Sequence, residues 1–315
     1  MDIRRSESAG VRTTTPMQSV ETPPVIDDET AIFPASARPH PSLADRFAAV
    51  KSVISRDIDE FRAYRAVIGN LVAQELQVRY QRSMLGFLWT LVNPALMMGT
   101  QALVFSRLFR GMGDMGPWQY TIFLFSGAMP WTFLSTSITD STTSLIHNEG
   151  LIRKIYVPKW IFPLARVLIQ GITFMLSMAA LFLMLWPLGA TISSSLVALP
   201  LAIALLGLFT MGLGLAAATI HTFFRDFGHF LNVGLQAWYF LTPIIYKADF
   251  LPPDERWKFW LNPAYPFVRL FQTIIQEARW PEAWLFGVAT LMATATFALG
   301  YAIFKSQEQK IVFRL

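Results

Sequence analysis

Residues 196–220 read LVALPLAIALLGLFTMGLGLAAATI, with no charged side chain among them. That length and composition match the about 20 apolar residues that carry a helix across the hydrocarbon core of a bilayer. A helix satisfies its own backbone hydrogen bonds in lipid, so the run reads as a membrane helix and not as a buried strand. Working outward, five more apolar stretches occur at roughly residues 86–109, 120–139, 163–188, 230–246 and 283–304. No charge interrupts their membrane-length cores, and residues 230–246 form the shortest. The expected fold is an all-α membrane protein with six transmembrane helices.

The composition agrees. Hydrophobic residues make up 53% of the 315 and charged residues only 15%, against about 25% charged in ordinary soluble domains. The net charge of +5 reads as basic flanks at a membrane surface, because Lys and Arg cluster beside helix ends, and it does not point to nucleic acid. With no cysteine, disulfides, thiolate catalysis and Cys-ligated zinc are excluded.

Residues 1–42 are rich in Thr, Pro, Ser and Ala, include Pro23, Pro24, Pro34, Pro39 and Pro41, and hold no apolar run. They read as a disordered tail. Arg4 and Arg5 have no apolar region behind them, so no signal peptide is expected and the tail should stay in the cytoplasm. Loop charges orient the rest under the positive-inside rule. Lys51, Arg56, Arg62, Arg65, Arg79 and Arg82 precede the first span, Arg153, Lys154 and Lys159 follow the second, and Lys305, Lys310 and Arg314 end the chain. These belong inside, which puts both termini in the cytoplasm. The third connection is uncharged, and the fifth balances five basic against five acidic residues, so both belong outside. Arg107 and Arg110 are a mild exception on the external face.

Residues 43–85 read as a cytoplasmic segment with an amphipathic interface helix. Phe61, Tyr64, Ile68, Leu71 and Leu76 share one stripe, with Arg62, Arg65, Gln74, Glu75, Gln77, Arg79 and Arg82 on the other faces. Such a helix suits the headgroup plane. Its Arg79 and Arg82 stand just before the first span, where guanidinium groups suit a phosphate-bearing lipid headgroup. In the second connection, a turn at 148–150 and a short helix at 151–156 precede Pro158 and Pro163. Leu151, Ile152, Ile155, Tyr156 and Val157 keep that basic loop apolar, as a partner surface requires.

Four ordered segments carry a family resemblance: RYQRSMLGFLWTLVNPAL from Arg79, HNEGLIRKIYVPKWIFPLAR from His147, FRDFGHFLNVGLQAWYFLTPIIY from Phe224 and LNPAYPFVRLFQ from Leu261. From about Phe61 onward the chain resembles the membrane subunit of ABC-type polysaccharide exporters, the permeases for O-antigen, capsule and teichoic acid. The resemblance implies a homodimer in the bacterial inner membrane, with a channel at the dimer interface. Two copies of a separate nucleotide-binding subunit would bind ATP and Mg, and this chain would need no cofactor. The substrate it implies is an undecaprenyl-type lipid-linked polysaccharide. It further implies that residues 77–84 end the interface helix. Asn148, Glu149, Gly150, Leu151, Ile152, Arg153, Lys154, Ile155 and Tyr156 would be the coupling helix seated on the ATPase, and residues 251–280 would form external gate helices before the last span.

Residue chemistry supports a separate motor. No G-x-x-x-x-G-K-[ST] occurs, so the chain cannot cradle nucleotide phosphates in a P-loop. Gly111, Gly113 and Gly116 match G-x-G-x-x-G but follow a membrane stretch and precede Pro117, so they read as an external turn and not as a dinucleotide site. Ion-coupled transport would need an acidic or histidine residue inside a span. Asp140 ends the second span, and His221, Arg225, Asp226 and His229 belong to the fourth connection. Asp254 and Glu255, the adjacent acids, lie beside Arg256 and Lys258 in a solvated surface, which leaves no acid pair for an enzyme. Phe87, Trp89, Phe125, Trp131, Phe133, Trp238, Tyr239, Phe240 and Tyr246 offer flat faces along which sugars could slide in a channel. Gly207, Gly212 and Ala216 suggest close helix packing. The function expected is an ATP-driven permease for a lipid-linked polysaccharide. The alternative is an ABC exporter of a small drug or lipid.

Overall fold

The computed structural model describes residues 43–80, 117–185 and 193–315, with isolated helical positions between 89 and 104. Residues Met1–Ser55 and Arg56–Leu315 are separate units. Of the first, only the helical backbone of residues 43–55 is described; all that follows concerns the second. The tail at 1–42, most of the first apolar stretch, Arg82, Phe87 and the turn holding Gly111, Gly113 and Gly116 lie outside the described residues.

The described residues are helical and contain no strand. They form α1 (Leu43–Tyr80), α2 (Pro117–His147), α3 (Glu149–Lys154), α4 (Ile161–Leu185), α5 (Leu199–Phe223), α6 (Phe227–Leu241), α7 (Tyr265–Phe271) and α8 (Ala283–Arg314). Three stretches among them are long and apolar enough to cross a membrane: Ile161–Leu183, Ser194–Phe223 and Ala283–Arg314. They fall on the apolar runs expected at 163–188, 196–220 and 283–304. The fifth run, expected at 230–246, is helical only as far as Leu241, the end of the 15-residue α6. Pro243 explains the early stop, because the residue before a proline is driven out of the α region, and Thr242 is extended (φ −98°, ψ 131°). At about 1.5 Å per residue α6 rises ~22 Å, short of the ~30 Å hydrocarbon core.

Helix α5 is the centre of the bundle and packs on α2, α4, α7 and α8. Its broadest interface is with α8, which buries Leu285, Ala289, Ala293, Gly300, Phe304 and Ile311. Those positions are four or seven residues apart, which places them on one stripe. Close approach is enforced by paired glycines: a Cβ on Gly212 would stand 2.5 Å from the Thr296 carbonyl oxygen and 2.6 Å from Phe297 Cα, and one on Gly300 would meet the Gly212 backbone. Small residues let backbones touch where lipid gives no hydrophobic incentive to associate. Gly207 does not take part, since its Cβ position is open space. Gly214 serves the crossing with α2 instead, where an added Cβ would stand 2.9 Å from Ser141 Oγ.

Helix α2 buries Ser126, Ser137, Ser141, Thr142 and Ser144. Their burial is tolerable because several hydroxyls bond back to their own helix, as Thr142 does to the Ile138 carbonyl at 2.7 Å and Ser144 to that of Ser141 at 2.6 Å. Between α6 and α8 the chain folds back into the bundle. Phe267 and Phe271 of α7 are fully buried, Phe267 tilted against Phe209 at 4.6 Å and Phe271 edge-on to Phe174 at 5.7 Å. The π-turn Gln272–Gln276 follows. Gln272 donates to the Pro243 carbonyl at 2.9 Å, and Ser195 to that of Ile274 at 3.0 Å. The charges of this connection pair locally: Arg256 with Asp249 at 3.1 Å, Lys258 with Glu255 at 2.7 Å, and Glu277 with both Arg269 and Arg279 at 2.6 Å. The Trp284 indole donates to Glu282. That bond, aided by Arg279, holds the Glu282 carboxyl below its usual range.

Candidate functional site

Helices α2 and α6 face each other across a broad open groove of 840 Å³, with one residue each of α1 and α4 in its lining. Trp131, Ser135, Thr136, Thr139 and Asp140 come from α2, and Asn232, Leu235, Gln236, Tyr239 and Phe240 from α6. Spacings of three and four put each set on one helical face. Arg79 of α1 and Gln170 of α4 complete the lining beside Asp140. From Trp131 to Asp140 the α2 wall rises about 14 Å, aromatic at one end and charged at the other.

The aromatic end is braced from behind. Trp131 meets Trp238 edge-on at 5.5 Å and Tyr239 at 5.9 Å. Trp238 donates its indole N–H to Asn262 Oδ1 at 2.7 Å, while Asn262 Nδ2 donates to Thr242 Oγ1 at 2.8 Å. Tyr246 donates to the Phe240 carbonyl at 3.1 Å. Midway, Thr139 reaches Asn232 Oδ1 across the groove at 3.4 Å. At the charged end Gln170 donates to Asp140 Oδ2 at 2.5 Å, and Arg79 lies 4.0 Å from the same oxygen. Chemically, this is a strip of neutral hydroxyls and amides between aromatic faces and a loose Arg–Asp pair. Such a lining exchanges hydrogen bonds with a polar ligand without holding it tightly. Among the described residues no group of His, Asp and Glu is gathered to hold a metal.

Of the residues singled out from the sequence, the groove brings together Arg79, Trp131, Tyr239 and Phe240. Phe125 and Phe133 do not reach it. Both are 4% exposed in the bundle core, Phe133 stacked on Phe174 at 5.3 Å. Trp89 is described and about half exposed. Asp140, Gln170, Ser135, Thr136, Thr139, Asn232 and Gln236 were missed as lining residues. Their signal was the run of polar positions at 135, 136, 139 and 140 against 232 and 236.

The segment after α2 forms a second feature. Its helix is Glu149–Lys154, two residues earlier than the expected 151–156, and Ile155 is extended (φ −133°, ψ 147°). Glu149 pairs with Arg153 at 2.8 Å. Ile152 is buried and Leu151 packs against the core, leaving Ile155 and Tyr156 as the exposed apolar residues, Tyr156 at 84%. Helix α1 straps across this segment. Phe61 stacks on Trp160 at 6.3 Å, Tyr64 donates to the Tyr156 carbonyl at 3.3 Å, and Arg166 pairs with Glu75 at 2.7 Å. The apolar stripe of α1 thus finds protein: Ile68 joins the core, and Tyr64 and Leu71 pack against it. Arg166→Glu alone should destabilise the protein by about 2 kcal/mol, the scale of a hydrogen bond to a charged group. Adding Glu75→Arg should recover most of that loss in a thermal aggregation assay. No recovery would mean that the pair does not fasten α1.

The family model for ABC-2 type transporters matches residues 67–275. The O-antigen export system permease protein RfbA of Klebsiella pneumoniae is 33% identical over 191 residues, covering 60% of this chain and 72% of that protein. The permease of the same name from Myxococcus xanthus is 28% identical over 258 residues, 81% of this chain and 97% of its own length. The polysialic acid transport protein KpsM of Escherichia coli is 22% identical over 255 residues, 80% of this chain and 97% of its own length.

Proposed function

Because the chain belongs to the ABC-2 type transporter membrane family, we propose that it is the permease subunit of an ATP-driven exporter of lipid-linked polysaccharide, working as a homodimer with its groove turned to the second copy. The chain is a transport subunit and not an enzyme; ATP is hydrolysed by a separate protein, with Mg bound there. The relatives named for O-antigen and polysialic acid transport favour this over export of a small drug or lipid.

The observation that carries the reading is the polar groove. Hydroxyls and amides at membrane depth are costly against lipid and belong against protein or a water-filled path. The groove presents Ser135, Thr136, Thr139, Asn232 and Gln236 along α2 and α6, with Trp131, Tyr239 and Phe240 at one end. A hydroxyl-rich polymer can exchange hydrogen bonds along such a wall and slide over its rings. Six spans per subunit would come from α2, α4, α5, α6 and α8 with the apolar run at 86–109, both termini cytoplasmic and the folded-back α7 segment external as the gate. Arg79, at the cytoplasmic end of the groove, with Arg82, would receive the phosphate of an undecaprenyl-type carrier. The α3 segment from Asn148 to Tyr156 would seat on the ATPase.

Replacing Asn232 and Gln236 together with Leu tests the channel. Surface polymer should fall about tenfold, the scale of losing one or two hydrogen-bonding positions, while assembly with the ATPase and basal hydrolysis persist. Normal export from that variant would place the path elsewhere.

A further inference from the structure

Three helices meet at the charged end of the groove. Gln170 of α4 fixes the Asp140 carboxylate of α2 through a 2.5 Å hydrogen bond to Oδ2, and Arg79 of α1 stands 4.0 Å from that oxygen. Charge-assisted hydrogen bonds run about 2.7–2.9 Å, so Asp140 holds this guanidinium by charge alone and leaves its planar fork unmatched. The two side chains are 31% and 34% exposed. An anion entering the groove can therefore reach them, while the partial enclosure limits screening by salt. Phosphate oxygens fit the fork in a bidentate manner, which a carboxylate at 4.0 Å does not.

We propose that Asp140 is an internal placeholder for the phosphate of the substrate headgroup, occupying Arg79 until a diphosphate displaces it. The inference rests on the reading of Arg79 as the headgroup residue and adds a selectivity element to it. Tethered beside Arg79, Asp140 competes at a high and constant effective concentration. It also repels any anion that fails to engage the guanidinium, which raises discrimination by penalising the wrong ligand. A phospholipid phosphodiester brings one charge and is held off; a diphosphate brings at least two charges and more oxygens, and prevails. Gln170 is a positioning residue, keeping the carboxylate aimed at Arg79.

The experiment uses the permease assembled with its ATPase in phosphatidylcholine nanodiscs, with undecaprenyl diphosphate as the probe and stimulated ATP hydrolysis as the readout. Asp140→Asn removes the charge and keeps an oxygen for Gln170. It should lower the half-maximal probe concentration about fivefold, and Arg79→Gln should raise it about tenfold, both within the usual span of couplings between sites. With Arg79→Gln already present, adding Asp140→Asn should lower it by much less than fivefold, because only the general repulsion by the carboxylate is then relieved, a dependence that a merely structural role for Asp140 would not produce. Phosphatidylglycerol without the probe should stimulate Asp140→Asn but not the unsubstituted complex.

If Arg79→Gln raises the half-maximal concentration and Asp140→Asn leaves it unmoved, the placeholder is overturned and the headgroup reading stands. If neither substitution moves it, the headgroup reading falls and takes the placeholder with it. Phosphatidylglycerol stimulating the unsubstituted complex as strongly as the probe would identify bulk lipid as the occupant and overturn the selectivity.

Discussion

Gly300→Val is expected to abolish accumulation of folded permease, a larger effect than any single change in the groove. A Cβ at position 300 would stand 2.9 Å from Gly212 Cα, with the Gly212 carbonyl nearer still. Both obstacles are backbone, so no rotamer change relieves the clash and α8 must move off α5. Overpacking typically costs about 1–3 kcal/mol where side chains can yield; here ~3 kcal/mol or more is expected, at the broadest helix interface of the described residues. Gly207→Val is the matched control, because nothing lies within 4 Å of its Cβ position. Membrane-fraction yield and the elution profile of the detergent-solubilised protein measure both. Equal yields for the two variants would show that the glycine crossing is not what holds α5 to α8.

The second large effect is expected at the exposed end of the α3 segment. Ile155→Asp combined with Tyr156→Asp should lower export at least tenfold and release the ATPase on purification, while insertion and thermal stability stay close to normal. Both side chains are exposed, so a surface substitution there disturbs folding by only about 0.5 kcal/mol. The Tyr64 hydrogen bond survives, because its acceptor is the backbone carbonyl of Tyr156. Leu151→Asp and Ile152→Asp should behave differently, lowering the yield of folded protein, since one packs against the core and the other is 8% exposed. Retention of both the ATPase and export by the Ile155 and Tyr156 pair would remove this segment from the coupling interface.

The membrane class of this protein was legible from runs such as residues 196–220, and so was the need for a motor in another chain. Lipid acts on each helix separately, and length and apolarity decide insertion without reference to neighbours. The end of α6 was equally local: Pro243 stops the helix at Leu241 wherever the segment lies. Which face of each helix meets which neighbour was decided only by tertiary structure. In a bilayer, apolar residues serve both the lipid surface and the bundle interior, so hydrophobic periodicity no longer separates inside from outside. Phe125 and Phe133 therefore read like Phe240 in the sequence, yet they fill the core while Phe240 is exposed along the groove. Gly212 could be seen as a packing residue, but its partner Gly300 could not, because the crossing of α5 and α8 joins residues 88 positions apart. Arg79, Asp140 and Gln170 likewise come from three separate helices, and only the packed bundle gives them a common oxygen to share.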